Sequence, residues 1–151
     1  MVKLTSPLNQ VDTAAGYALG SKTMDKSGNE YIYLSGVASC ANQDWVTFTG
    51  TSSGSVTRLA TTGGKGNVGI AQGAITNNRY GWFLIKGEGK GNVGVTVTAA
   101  GNVYASGTVA TVGTAIVSGD LIGGAFVKAA DSGSGSAVFS IQYPFCTDTM
   151  S

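Results

Sequence analysis

The sequence predicts an all-β domain, an antiparallel β-sandwich or β-barrel with an extended N-terminal arm. Three observations carry this expectation. Apolar residues never recur at three- and four-residue spacing over a sustained window, so no long amphipathic helix is expected. Short β-branched and aromatic runs recur instead, separated by clusters of Gly, Asn, Ser and Asp that suit turns. Glycine supplies 24 of 151 residues, a composition that favours turns and disfavours helix interiors.

Taken in chain order, Met1–Asn29 carries Pro7 and scattered small residues, with little strand signal beyond Tyr17–Leu19. It reads equally as a frayed terminus or as an extended arm whose Val2, Leu4, Leu8 and Val11 dock on another subunit. Glu30–Val37 sets Tyr31 and Tyr33 against Ile32 and Leu34, and Trp45–Thr49 is β-branched and aromatic. Gly69–Ala71, a polar turn and Tyr80–Gly87 form a candidate hairpin, echoed by Gly123–Ala125, a Ser/Gly turn and Ala137–Pro144. Val93–Thr98, Thr108–Val112 and Ala125–Ala129 fit the strand template as well. Turns are expected at Ser27–Asn29, Thr51–Ser55, Thr76–Arg79, Ala100–Asn102 and Asp131–Gly135. The division that follows is an arm over 1–29, a β domain over 30–146 and a tail over 147–151.

Composition narrows function. Without histidine there is no Ser-His-Asp triad, no Cys-His pair and no His-ligated zinc or haem. A net charge of +1 gives little footprint for a phosphate backbone, so no nucleic-acid partner is expected. The longest apolar runs, such as Trp82–Ile85, are far too short to span a membrane, and no membrane partner is expected. The opening residues lack the apolar core of a signal peptide, which points to synthesis in the cytoplasm. Cys40 and Cys146 read as reduced, buried thiols.

Candidate chemistry is sparse. Gly64-Lys65-Gly66 and its repeat Gly89-Lys90-Gly91 lack the spacing, hydroxyl and following helix of a phosphate loop, and read as glycine turns with a solvating lysine. The carboxylates Asp12, Asp25, Glu30, Asp44, Glu88, Asp120, Asp131 and Asp148 are scattered, with no pair spaced for one strand face. Asp131–Gly135 has one acid where a calcium loop needs several. No enzyme activity, metal or cofactor is expected. The aromatics carry more information: Trp82 and Leu84 share one face of a strand, and Phe83 and Ile85 share the other. A strand apolar on both faces lies either inside one domain or between subunits.

The Gly69–Gln72 stretch, the polar turn and the Tyr80-Gly81-Trp82-Phe83-Leu84-Ile85-Lys86-Gly87 strand together resemble the head decoration, or cement, proteins of tailed bacteriophages. The Ala99–Tyr104 turn and the closing hairpin of Ile122–Ala125 with Ala137–Pro144 are similar to that family too, so the resemblance spans roughly Glu30–Phe145. It implies a non-enzymatic virion protein on the capsid surface, made in the host cytoplasm, forming a homotrimer and bridging neighbouring major capsid proteins. A terminal arm reaching the lattice is implied as well. Val2, Leu4, Pro7, Leu8, Val11 and Trp82 are then the expected capsid or subunit contacts. Two other roles fit the same β pattern: a head-fibre or tail component, or a carbohydrate-binding module stacking sugars on Trp45, Trp82 or Tyr104.

Overall fold

The computed structural model describes residues 1–49, 54–95, 97–114, 120–130 and 135–147. The expected turn residues 51–53, the tip residues 131–134 with Asp131, Thr96 of the expected Val93–Thr98 strand, and residues 148–151 of the expected tail with Asp148 lie outside them, while Thr147 of that tail ends the last strand. Ten strands are present and no helix among the described residues. They are β1 (Lys22–Met24), β2 (Glu30–Ser35), β3 (Trp45–Phe48), β4 (Thr57–Arg58) and β5 (Gly66–Ala71). β6 (Tyr80–Asn92), β7 (Asn102–Ala105), β8 (Val112–Gly113), β9 (Leu121–Ala129) and β10 (Ser136–Thr147) follow.

All ten join one antiparallel sheet in the order β1-β2-β6-β5-β10-β9-β7-β8, with β3 beside β5 and β4 beside β3. The sheet does not close into a barrel; it folds over itself like a sandwich. The fold-over is visible in the larger apolar cluster. There Tyr33, Trp45, Ile70 and Trp82 of one half meet Val103, Ile122, Val127 and Phe139 of the other. The Trp45 and Phe139 rings meet edge to face at 4.9 Å between centroids, a geometry that adds to simple burial.

A second cluster lies on the opposite face of the first half. Ile32, Leu34, Val46, Phe48, Phe83 and Ile85 are roofed there by Cys40, Val56 and Ile75 from connecting segments. The segment Tyr80–Ile85 is therefore an internal strand of one domain, with this chain's own side chains on both faces. Cys40 and Cys146 are reduced, buried and in different clusters.

The two echoing hairpins of the sequence are both real. β5 pairs with β6 through Ile70↔Leu84, and β9 with β10 through Ile141↔Ala125. Elsewhere local chemistry overrides the strand template. Of Thr108–Val112 only Val112 is in a strand, because Ser106 and Thr111 bond each other's hydroxyls and the Thr108 carbonyl and so close a turn. Val93 makes a single bridge to Val112, and among the described residues no strand continues from it toward Thr98. Gly89-Lys90-Gly91 is no turn but the end of β6. A Cβ on Gly91 would lie 2.6 Å from Trp45 Nε1, so glycine there lets the indole rest on the backbone. The sequence shows the glycine and hides the ring above it.

The arm is also shorter than expected. Lys22–Met24 pairs with β2, and the β1–β2 turn is fastened by Asp25, which accepts from the Ser27 and Asn29 amides, Asn29 Nδ2 and the Tyr31 hydroxyl. The irregular segment before β1 lies along the body. The Val2 amide donates to the Lys22 carbonyl at 2.8 Å, and Asp12 and Tyr80 exchange backbone bonds. Tyr33 Oη donates to Asp12 Oδ2 at 2.5 Å, and the Tyr17 ring sits 5.2 Å from both Tyr33 and Trp82.

Candidate interaction surface

The expected contact residues fall into two groups. Val2, Leu4 and Leu8 are half-buried against the larger cluster and Val11 against the smaller, while Pro7 is exposed. Between Val2 and Leu8 burial alternates with period two, as in a strand, although few backbone bonds hold this stretch. Trp82, by contrast, is 1% exposed and packed on Tyr33 and Tyr17. It stabilises its own chain and has no ring surface for another molecule. Trp45 is equally enclosed, so neither indole can stack on a sugar, and Tyr104 is half-buried.

The described carboxylates serve local structure. Asp44 is buried and paired with Arg58 at 3.0 Å, and it also accepts from the Ala41 amide and Asn92 Nδ2. Asp120 Oδ2 accepts the Gly64 amide at 2.7 Å, which fastens the glycine turn ahead of β5. Glu88 pairs with Lys128. Among the described residues no three His, Cys, Asp or Glu side chains converge as metal ligands.

The distinctive geometry lies where β10 changes partner. Up to Gln142↔Lys86 it pairs with β6, and from Phe145↔Asn67 it pairs with β5. Tyr143 and Pro144 span the switch. Tyr143 has φ 45°, and Gly87 on β6 (φ 111°) and Gly124 on β9 (φ 78°) also adopt positive φ beside it. Irregularities aligned across three strands bend the sheet, and proline is tolerated in a strand at such a break. A non-glycine residue in this region costs on the order of 1–3 kcal/mol and persists only where its surroundings hold it.

Here the surroundings are specific. Tyr143 Oη donates to Glu30 Oε2, and Lys86 Nζ lies 5.6 Å from the ring centroid and 3.5 Å from the same carboxylate oxygen. The Tyr143 bond first, and Lys86 second, hold the Glu30 carboxyl below its ordinary range against the opposing effect of burial. The same bond raises the Tyr143 phenol. Shifts in these directions take both groups further from neutrality, which suits binding rather than proton transfer.

Beside Tyr143 the diverging strands leave a cleft of about 130 Å³. Ile32, Phe48, Val68, Ile85 and Pro144 form its apolar lining, with Lys22 and Asn67 also on its wall. The sheet face running from it across β10 and β9 has no cover among the described residues. Phe126 and Tyr143 are 51% exposed and Phe145 47%. Sequence reasoning placed these aromatics in or beside strands and left the exposure of Phe126 and Phe145 open. The alternation of Ala137–Tyr143 sets Val138, Ser140 and Gln142 against Phe139, Ile141 and Tyr143, as in a strand with one face in the core and one in solvent. That pattern would bury Tyr143 with the other two; the change of partner at Tyr143 breaks the alternation and turns its ring outward.

Compared with family models, curated proteins and solved structures, the chain finds no match.

Proposed function

We propose that this chain is a structural virion protein that decorates and cements the outer surface of a phage capsid, bridging neighbouring major capsid proteins as a homotrimer. The observation that carries the reading is the arm. Residues 1–21 lie on the body through half-buried Val2, Leu4 and Leu8 and a few backbone bonds, contacts that an equivalent surface on a neighbour can replace. The body beneath is a rigid sheet packed on both faces over half its extent. Adhesion at several shell subunits at once multiplies modest contacts through effective concentration, so the role needs no single strong site. The sequence resemblance over Glu30–Phe145 points the same way.

The test is co-sedimentation of the full chain, and of a chain lacking residues 1–11, with isolated particles that lack the protein. The full chain is expected to saturate the particles and to run as a trimer in sedimentation velocity. The truncated chain is expected to keep a cooperative melt but bind at least about tenfold more weakly, as loss of one linked contact implies. A monomer that never coats the particles would overturn the reading.

A further inference from the structure

We infer that the cleft beside Tyr143 is an anchor pocket for one apolar side chain carried on an acidic segment of a partner protein. The inference goes beyond the capsid reading and holds whichever protein supplies the segment. Size comes first. An apolar cavity of about 150 Å³ accepts a benzene ring, so the roughly 130 Å³ here suits one ring or branched aliphatic group. Drug-sized ligands and oligosaccharides require about 300 Å³ or more. Interfaces concentrate their binding energy in such single buried anchors.

Charge selects the partner. Lys22 lines the cleft, Lys86 caps the Tyr143 ring, and Lys65 flanks Phe145 on the adjoining strand end. Against these three cations stands Glu30, already engaged by Lys86 and Tyr143. Lys22 and Lys65 have no ion pair among the described residues. The cleft wall itself thus carries one cation, Lys22, with Lys86 at its Tyr143 edge and Lys65 beyond Phe145, around an apolar hole. A second copy docking face to face about a two-fold axis would set lysines against lysines, whereas carboxylates beside the inserted side chain would complement them. Tyr143, half exposed, supplies apolar area at the cleft, and Phe145, equally exposed, extends it along β10. The bond to Glu30 and the Lys86 contact hold the Tyr143 ring at this edge despite its positive φ.

The probe is the capped peptide acetyl-DEDFDED-amide, titrated into the ¹⁵N-labelled full chain and followed by amide chemical shifts. Saturable shifts are expected at Ile32, Asn67, Ile85 and Tyr143. They should vanish when the peptide phenylalanine becomes alanine and weaken as salt rises from 50 to 500 mM, on the order expected for screened charges. Lys22→Glu and Lys65→Glu, both at exposed positions, should each weaken binding about fivefold with an unchanged melting temperature. Shifts that ignore the phenylalanine, or that map to another face, overturn the proposal. So does preferential binding of a deoxythymidine 12-mer, which would make the face a stacking platform for single strands. Concentration-dependent self-association that closes the cleft would do so as well.

Discussion

The two halves of this sheet use the same residue types and end in opposite states. Around β2, β3, β5 and the first half of β6, side chains on both faces are covered, by the larger cluster on one side and by Val11, Cys40, Val56 and Ile75 on the other. Across the second half of β6, β10 and β9, only the inner face is covered, and Phe126, Tyr143 and Phe145 stand in solvent. A strand does not itself demand a cover; the connecting segments decide where one is supplied. Two-sided packing thus resides in the first half, and exposed aromatic surface in the second.

The sharpest way to break this contrast is to truncate one aromatic in each half. Trp82→Ala empties a packed site and should cost about 3–5 kcal/mol, whereas Phe126→Ala should stay within about 0.5 kcal/mol. Urea denaturation midpoints measure both, and equal losses would erase the distinction between the halves. Within the second half, two glycines separate its covered inner face from its bare one. Gly91→Ala drives a methyl into the Trp45 ring and should cost about 1–3 kcal/mol. A Cβ on Gly123 meets only the Phe145 carbonyl oxygen at an ordinary 3.6 Å, so Gly123→Ala should change the midpoint little.

Smaller effects are expected at the corner that joins the halves. Tyr143→Phe removes the phenol that donates to buried Glu30 and should lower the urea midpoint slightly at neutral pH. Because the folded Glu30 carboxyl is held below its ordinary range, its contribution is complete above that range and is lost as pH falls through the folded value. Thermal melts should therefore show a shallower acid limb in Tyr143→Phe than in the parent.

The smallest changes are titrations in the covered half. Burial first, and then bonds to Asp25 and Asp12, raise the Tyr31 and Tyr33 phenols to about 12. A raised phenol contributes stability in full below the unfolded value of 10.0, and that contribution disappears as pH climbs to about 12. Absorbance at 295 nm should show these two tyrosines ionising last, with the melting temperature falling over the same interval. Cys40, pushed up to about 11 by burial and then by Asp44, should resist thiol reagents in the folded chain at pH 8.

Much of this architecture was legible in particular residues. The continuous apolar run Trp82–Ile85 announced a strand covered on both faces, and the alternation in Ala137–Tyr143 announced one covered on a single face. The paired hairpins could be read from their shared glycine entry and aromatic exit. Three features were hidden, each because a tertiary contact decides it. Gly89 and Gly91 look like turn residues until Leu84 and Trp45 are seen lying over them. Lys22–Met24 has little strand signal of its own and is a strand because β2 offers it an edge. The cleft depends on β10 exchanging β6 for β5 at Tyr143, a change of partner that no local pattern encodes.

The central claim is that the uncovered face of β6, β10 and β9 is kept bare for attachment. A cryo-electron-microscopy map of particles carrying the protein tests it most directly. The account predicts density on the outer shell with Phe126, Tyr143 and Phe145 turned toward neighbouring protein. Particles on which that face looks outward into solvent would contradict it.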